Sequence, residues 1–368
     1  MDNSTINVLQ IMPEFGLAGA ETMCENLCMH LNKDPDINLT VVSLYDIHTA
    51  ITDRMEQNGI EVVYLGKKSG LDFSVIKKLA KIMKERKINV VHTHRYVMQY
   101  AIPAAIKAKV PVRVHTVHSE ANKEQEKSKR ILSSLFYRLF KTQPVAISPL
   151  IRDTVMQEYG IKKENIPVVF NGINFDKCIE KNNYQTADTF RFLHIGRFMD
   201  VKNQKLIIEA ISDIKTEGYN VAVDFVGSGE TEAECKLLAE QFGVSDSIVF
   251  HGSQSNVYPF YTDADAFLLP SKYEGMPMTL IEAMGSALPI IASKVGGIPD
   301  MIKDEVEGVL ISADVESLRQ AMKAIVDDKD LRCRYGKNAK KRSDEFSSKR
   351  MADGYKQIYL NALNKSSG

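Results

Sequence analysis

Short apolar runs of strand length alternate with helically periodic segments along this chain, and the series occurs twice. The first runs are Ile6–Met12, Leu39–Leu44, Val90–His92, Val112–Val117 and Val145–Ile147. They are nearly continuous in β-branched and aliphatic residues, the pattern of strands buried on both faces. Between them lie amphipathic stretches such as Ala20–Leu31 and Val75–Lys87. Strand, crossover helix and strand in succession specify a parallel, doubly wound α/β sheet. Lys177–Phe190 is polar and without apolar rhythm, so it reads as a linker. A second series follows: Phe192–Ile195, Val221–Val226, Ile248–Phe250, Ala266–Leu269, Pro289–Ala292 and Val309–Ile311, with helices starting near Asn203, Glu230, Pro277 and Val315. A length of 368 residues suits two such domains. We therefore expect one Rossmann-like domain over 1–180, another over 181–342, and a terminal helix over 343–368.

Charge narrows the partners. Lys and Arg number 47 and Asp and Glu 47, so the chain as a whole has no attraction for nucleic acid. The balance hides a contrast. Residues 1–180 carry 24 basic against 20 acidic side chains, and residues 181–368 carry 23 against 27. Of the five cysteines, Cys24 and Cys28 sit in the stripe Met23, Cys24, Leu27, Cys28, Leu31 and read as core thiols. An odd count with no leader-like segment points to a reducing cytoplasm.

The richest chemistry lies in Pro270-Ser271-Lys272-Tyr273-Glu274-Gly275-Met276-Pro277-Met278-Thr279-Leu280-Ile281-Glu282. A strand ends at Leu269, a loop follows, and Pro277 suits the first turn of a helix. Glu274 then lies in the loop and Glu282 on the second helical turn. The amides of Met278, Thr279 and Leu280 at the positive helix end form an anion site. Two carboxylates beside an anion site are reconciled by a sugar nucleotide, whose hydroxyls donate to carboxylates while its phosphates meet the amides.

A second cluster is His194-Ile195-Gly196-Arg197 with Lys202, at a strand end. Arg197 can grip two phosphate oxygens and Lys202 adds a point charge, which together would stabilise a departing diphosphate. A third is Gly16-Leu17-Ala18-Gly19-Ala20-Glu21, a glycine turn between a strand and a helix. It is neither a dinucleotide fingerprint nor a P-loop. Gly227-Ser228-Gly229-Glu230 reads as an ordinary strand-to-helix turn.

Together these residues resemble the family-4 retaining glycosyltransferases of the GT-B fold. The resemblance runs from Gly16–Glu21 through His118-Ser119, Asn171-Gly172-Ile173, Gly196-Arg197 with Lys202, and Gly227-Ser228-Gly229 to the Glu274-x7-Glu282 signature. It implies two Rossmann-like domains facing a central cleft, with the terminal helix crossing back to the first domain. It implies that Glu282 binds the nucleotide ribose, Glu274 the donor sugar, and Arg197 and Lys202 the diphosphate. Gly19 matches the loop glycine that approaches the donor, His118 a histidine near the transferred sugar, and Asn171 a motif at the interdomain hinge. It also implies retention of anomeric configuration by front-side attack, with no protein nucleophile. The substrates expected are a nucleotide sugar, by family habit a uridine diphosphate sugar, and a glycan or lipid-linked acceptor in bacterial surface-polysaccharide assembly. The rival readings are a non-hydrolysing sugar-nucleotide epimerase and a non-catalytic partner subunit.

No cofactor and no metal are expected. Asp263-Ala264-Asp265 has a metal-binding form but runs directly into a strand, and reads as structural. His92-Thr93-His94 and His115-Thr116-Val117-His118 lack the spacing that completes a zinc site and read as active-site or core histidines. Lys67–Lys87 holds eight basic residues against two acidic, mostly a solvated helix face. Lys129–Lys141 combines basic ends with Ile131, Leu132, Leu135, Phe136, Leu139 and Phe140. It reads first as a core helix with charged ends, and alternatively as a peripheral contact with anionic lipid at the inner face of the cell membrane.

Overall fold

The computed structural model describes residues 5–16, 18–121 and 127–367. It contains two six-stranded sheets, both wholly parallel. The first is built from β1 (Ile6–Met12), β2 (Ile37–Ser43), β3 (Val62–Tyr64), β4 (Val90–His94), β5 (Val112–Val117) and β6 (Gln143–Ala146). Their spatial order is β3-β2-β1-β4-β5-β6. The second comprises β7 (Phe190–Ile195), β8 (Val221–Val226), β9 (Ile248–Phe250), β10 (Ala266–Leu269), β11 (Ile290–Ser293) and β12 (Gly308–Ile311). Its order is β12-β11-β10-β7-β8-β9, the same topology repeated. In each sheet the order reverses beside the first strand, between β1 and β4 and between β7 and β10. Ligands of doubly wound sheets bind at that point, outside the carboxyl ends of the strands.

Register follows from burial. Val8 pairs with Leu39 on one side and Val90 on the other, while Leu193 pairs with Asp224 and Phe267. Helices cover both faces of the first sheet. Leu9, Ile11, Val42, Val75, Leu79 and Tyr100 form a core on one side, and Met12, Phe15, Cys24, Cys28, Val41 and Ile51 on the other. Phe192, Ile207, Ile211, Phe225, Leu268 and Met322 belong to the main core of the second sheet. Cys24 and Cys28 are fully buried free thiols.

The sequence reading overlooked β3, whose three residues are too few to display a period. The helix read as Val75–Lys87 is Ser74–Glu85. It stops because Lys87 adopts a left-handed φ of 51°, which an α-helix cannot contain. Asp265 is buried, paired with Lys181 at 3.3 Å and accepting from the Arg191 amide at 2.9 Å. That fastens the segment Asp263–Asp265 to β7 as a structural element.

The chain divides into two compact units, Met1–Ile173 with Ser347–Gly368, and Asn174–Phe346. Residues 174–180, placed in the first domain from sequence, therefore cluster with the second unit, and so do residues 343–346. The physical reason lies in the supposed linker, which is fastened along its length. The Tyr184 hydroxyl donates to the Ala287 carbonyl at 2.8 Å, the Lys181 amide to Ser286 at 3.0 Å, and the Arg332 guanidinium to the Tyr184 carbonyl at 3.1 Å. Polar composition marks an exposed path here, not a loose one.

The last helix runs from Ser348 to Ser367 and belongs to the first unit. Its entry is fixed by the Ser348 amide, which donates to the Ile173 carbonyl at 2.8 Å. A Cβ on Gly172 would stand 2.4 Å from the Ser347 oxygen, so only glycine lets the two strands of chain cross there. Among the described residues no helix is long and apolar enough to cross a membrane.

Candidate functional site

In the second unit the loops after β7 and β10 meet at the topological reversal. The loop after β7 carries Gly196 and Arg197 and ends in a single 3₁₀ turn, Asp200–Lys202. Its path is set by neighbouring glycines. Gly227 has φ +136° and a Cβ there would reach 2.1 Å from the Gly196 oxygen, while a Cβ on Gly229 would reach 2.2 Å from that of Phe198. The Phe198 amide donates to the Ser228 carbonyl at 3.0 Å. The Gly227-Ser228-Gly229 turn is thus a backbone clamp on the Arg197 loop.

From this loop Lys202 reaches across to β10's loop. Its Nζ donates to Glu274 Oε1 at 2.6 Å, and the Ser271 hydroxyl donates to the same oxygen at 2.7 Å. Glu274 is 7% exposed. Its backbone is held as tightly. Gly296, at φ +55°, lies so close that a Cβ would come within 1.7 Å of the Glu274 carbonyl oxygen, to which the Gly297 amide donates at 3.1 Å. Sequence reasoning missed Gly296 and Gly297. Their only local signal is a glycine pair after a strand, and its meaning depends on what passes beside it. Arg197 is exposed and forms no ion pair among the described residues.

The helix after this loop spans Met278–Gly285, with Pro277 in an extended conformation at its cap and no side chain closing the amino end. Of the three amides assigned to an anion, Leu280 N–H donates to the Pro277 carbonyl at 3.2 Å. That corrects the expectation: a tight first turn uses this donor, leaving Met278 and Thr279 to supply the helix-start amides. Pro277 precedes the helix rather than opening it.

Glu282, 6% exposed, accepts from the Tyr261 hydroxyl at 2.8 Å, and the same hydroxyl lies 3.0 Å from the Thr279 carbonyl. Burial pushes the Glu282 carboxyl up to about 7, against the opposing pull of the Tyr261 hydroxyl and the Lys177 ammonium. At neutral pH a buried carboxyl is thus poised between its two forms. Tyr261 is a further residue the sequence reading did not find. It comes from Tyr258–Asp263, a helix too short to show a face. His194, also in the second cluster, donates from Nδ1 to the Leu268 carbonyl at 2.9 Å, and burial lowers it to about 4. It ties β7 to β10 beneath Gly196.

The first unit places its predicted residues at its own reversal point. Gly16 and Gly19 flank the turn after β1; Leu17 lies outside the described residues. The following helix, Gly19–Leu31, starts without a side-chain cap. Glu21 is buried and receives the Arg95 guanidinium at 2.8 Å. Arg95 directly follows β4 and holds φ +56°, a strained conformation for a residue with a Cβ. No local sequence pattern announces it. His118 follows β5, half-buried, with its Nε2 at 3.1 Å from His94 Nδ1. Asn171 is buried where the chain crosses Ser347. Among the described residues no group of three or more His, Cys, Asp or Glu side chains could hold a metal ion.

A basic and acidic pair at the reversal point of a parallel sheet, beside an uncapped helix start, has the chemistry to meet an anionic, hydroxyl-rich ligand, on a fold built from two Rossmann-like units. Known proteins share the fold. The model of "Glycosyltransferase Family 4" matches residues 17–177 and that of "Glycosyl transferases group 1" matches residues 177–342. The capsular polysaccharide biosynthesis glycosyltransferase CapH of Staphylococcus aureus is 28% identical over 300 residues, covering 79% of this chain and 82% of its own. The UDP-Gal:alpha-D-GlcNAc-diphosphoundecaprenol alpha-1,3-galactosyltransferase of Escherichia coli is 27% identical over 317 residues, 79% of this chain and 80% of its own. Among solved structures, Anabaena HepE in complex with UDP and glucose superposes with a TM-score of 0.84 at 17% identity, over 97% of this chain and 100% of that one. The class is therefore a GT-B glycosyltransferase. The chain belongs to the group 1, family 4 glycosyltransferases.

Proposed function

We propose that this enzyme transfers a hexose, with retention of anomeric configuration, from a uridine diphosphate sugar to a lipid-linked glycan acceptor during surface-polysaccharide assembly. The observation that carries the reading is the Lys202–Glu274 pair, set at the reversal point next to the Met278–Gly285 helix start. Lys202 keeps further ammonium hydrogens for phosphate oxygens while it orients Glu274, whose remaining oxygen accepts from sugar hydroxyls. Arg197, exposed on the same loop, closes on the diphosphate as charge develops on the leaving group. The amides of Met278 and Thr279 add their dipoles, and Glu282 accepts from the ribose hydroxyls. Within the first unit the candidate ligand residues are Gly19, His118 and Asn171, with His118 accepting from a sugar hydroxyl. No protein nucleophile, metal or cofactor enters the reading. The donor and acceptor carried in the name of the Escherichia coli relative, and the UDP bound by HepE, support the choice of substrates.

A membrane-bound acceptor would require the protein to work at a lipid surface in the cytoplasm. Residues 67–141 hold 18 Lys and Arg against five Asp and Glu in a chain whose total charge is zero. In the helix Lys127–Arg138 and just beyond it, Ile131, Leu135 and Leu139 are exposed at successive turns, at 69%, 40% and 69%. Phe136 and Tyr137 are buried and Leu132 and Phe140 half-buried, so one face of this helix packs inward while Ile131, Leu135 and Leu139 lie on the other. An apolar ridge in a basic region matches anionic lipid.

Thermal shift against a panel of nucleotide sugars, followed by product mass and anomeric NMR with polyprenyl diphosphate-linked acceptors, tests the whole reading. A product of acceptor-plus-hexose mass in the donor's anomeric configuration is expected. An isomerised nucleotide sugar with no acceptor product would refute it in favour of an epimerase, and donor binding without turnover would refute it in favour of a non-catalytic subunit.

A further inference from the structure

Behind His118 runs an unbroken file of buried polar side chains, all within the first unit. His118 Nε2 is 3.1 Å from His94 Nδ1, and His94 Nε2 is 2.9 Å from Gln10 Oε1. Gln10 Nε2 donates to the Tyr359 hydroxyl at 3.2 Å, and that hydroxyl is 2.7 Å from His92 Nδ1. His92 Nε2 is 2.7 Å from Thr116 Oγ1, which in turn lies 2.7 Å from the Tyr355 hydroxyl. His92, His94, Gln10, Thr116, Tyr355 and Tyr359 are all fully buried. Burial holds the imidazoles of His92, His94 and His118 well below their ordinary value, so each ring is neutral.

A neutral imidazole has one donor and one acceptor nitrogen, so a single assignment propagates along the file. The Gln10 amide nitrogen donates to Tyr359, which leaves the amide oxygen to accept, and His94 must donate to it from Nε2. His94 Nδ1 is then an acceptor, and its partner, His118 Nε2, must carry the hydrogen. In the other direction Tyr359, having accepted from Gln10, turns its own hydrogen to His92 Nδ1. His92 Nε2–H then donates to Thr116. From His118 to Thr116 every bond in the file points the same way.

We propose that His94, Gln10 and Tyr359 are positioning residues that hold His118 as its Nε2–H tautomer, with Nδ1 as its acceptor nitrogen. The value of this to transfer rests on the substrate contact proposed above for His118; the tautomer itself does not. The last helix thereby has a chemical task besides packing, since it inserts Tyr359 into the sheet of strands that ends at the site. Such outer partners commonly fix which imidazole nitrogen faces a ligand. Packing alone gives no reason for six consecutive buried polar groups where apolar ones of the same volume would serve.

The test is long-range ¹⁵N–¹H correlation of the full-length protein labelled at histidine, with the His118 signals assigned by their loss in His118→Gln. A protonated Nε2 and an unprotonated Nδ1 on His118 are expected in the wild type. Tyr359→Phe removes one oxygen, frees the Gln10 amide to turn over, and should replace the single tautomer by a mixture. Gln10→Leu should do the same by depriving His94 of its acceptor. If Gln10→Leu does not fold, Tyr359→Phe carries the test alone, with circular dichroism confirming its fold. The opposite tautomer in the wild type, reached by reversal of the whole file, would overturn the proposal, as would a tautomer unchanged in Tyr359→Phe. The turnover rate separates the two claims: a mixed tautomer with a lowered kcat and unchanged affinity for uridine diphosphate supports both. A mixed tautomer with wild-type kcat upholds the assignment and overturns the substrate contact of His118.

Discussion

Replacing Glu282 by Gln should make this protein more stable at neutral and alkaline pH while weakening its hold on donor. The carboxyl titrates at about 7 in the folded chain against an ordinary 4.5. A difference of about 2.5 units at 1.36 kcal/mol each amounts to roughly 3 kcal/mol. The sign follows from linkage. A raised folded-state value means the folded chain holds the proton more tightly, so the associated stability is fully present below pH 4.5 and is lost as pH rises to about 7. Above that the wild type carries a buried charge, which the amide of Gln lacks while still accepting from Tyr261. The variant's advantage should therefore be nil near pH 4.5, grow between 4.5 and 7, and level off. For a unit of this size, about 3 kcal/mol corresponds to a rise in Tm of roughly 6–12 °C. Differential scanning calorimetry between pH 5 and 8 reads it directly. Titration of the same variant with uridine diphosphate should show affinity about ten-fold weaker, because a hydrogen bond to a charged acceptor is stronger than one to an amide by about 1 kcal/mol or more. A Tm gap of equal size at pH 5 and pH 8, or a variant less stable than the wild type at pH 8, would refute the reasoning.

Other outcomes follow from the same geometry. Wild-type donor affinity should be flat well above pH 7 and fall by about ten-fold in all below it, levelling off as Glu282 completes its protonation; isothermal titration across pH 5.5–8.5 checks this. Arg197→Ala should slow transfer at least a hundred-fold with Tm within a degree or two, since the exposed side chain forms no ion pair among the described residues; steady-state kinetics beside a melting curve decides. Gly296→Ala should lose about 1–3 kcal/mol of stability and weaken donor binding together, because the added carbon collides with the Glu274 backbone; denaturant unfolding and titration measure both. Changing Ile131 and Leu139 to Ser should abolish sedimentation with anionic vesicles and leave transfer to a soluble acceptor analogue untouched; sedimentation of the wild type that fails with anionic lipid would remove the membrane proposal.

The order of strands and helices was readable because burial on both faces leaves continuous apolar runs, and crossover helices leave a period near 3.6. Turn chemistry made the loops after β7 and β10 legible too, since glycine, proline and charge cluster where a parallel sheet presents its carboxyl ends. The chain boundaries of the units were less so. Tyr184, Lys181 and Cys178 lie in a polar stretch whose fastening to Ala287, Ser286 and the Glu282 carbonyl is invisible without the neighbour.

Linear pattern was enough for the two-sheet architecture and for Arg197, Lys202, Glu274 and Glu282 as a candidate set, because each motif is local and its residue types carry their chemistry with them. Only the tertiary structure joined Lys202 to Glu274 over 72 positions and strung Gln10 to Tyr359 over 349. It also set the environment that raises Glu282 and neutralises the histidines. Burial and hydrogen-bond partnership are properties of the space around an atom. A linear pattern fixes which groups are available, and the packing of distant segments decides which of them meet.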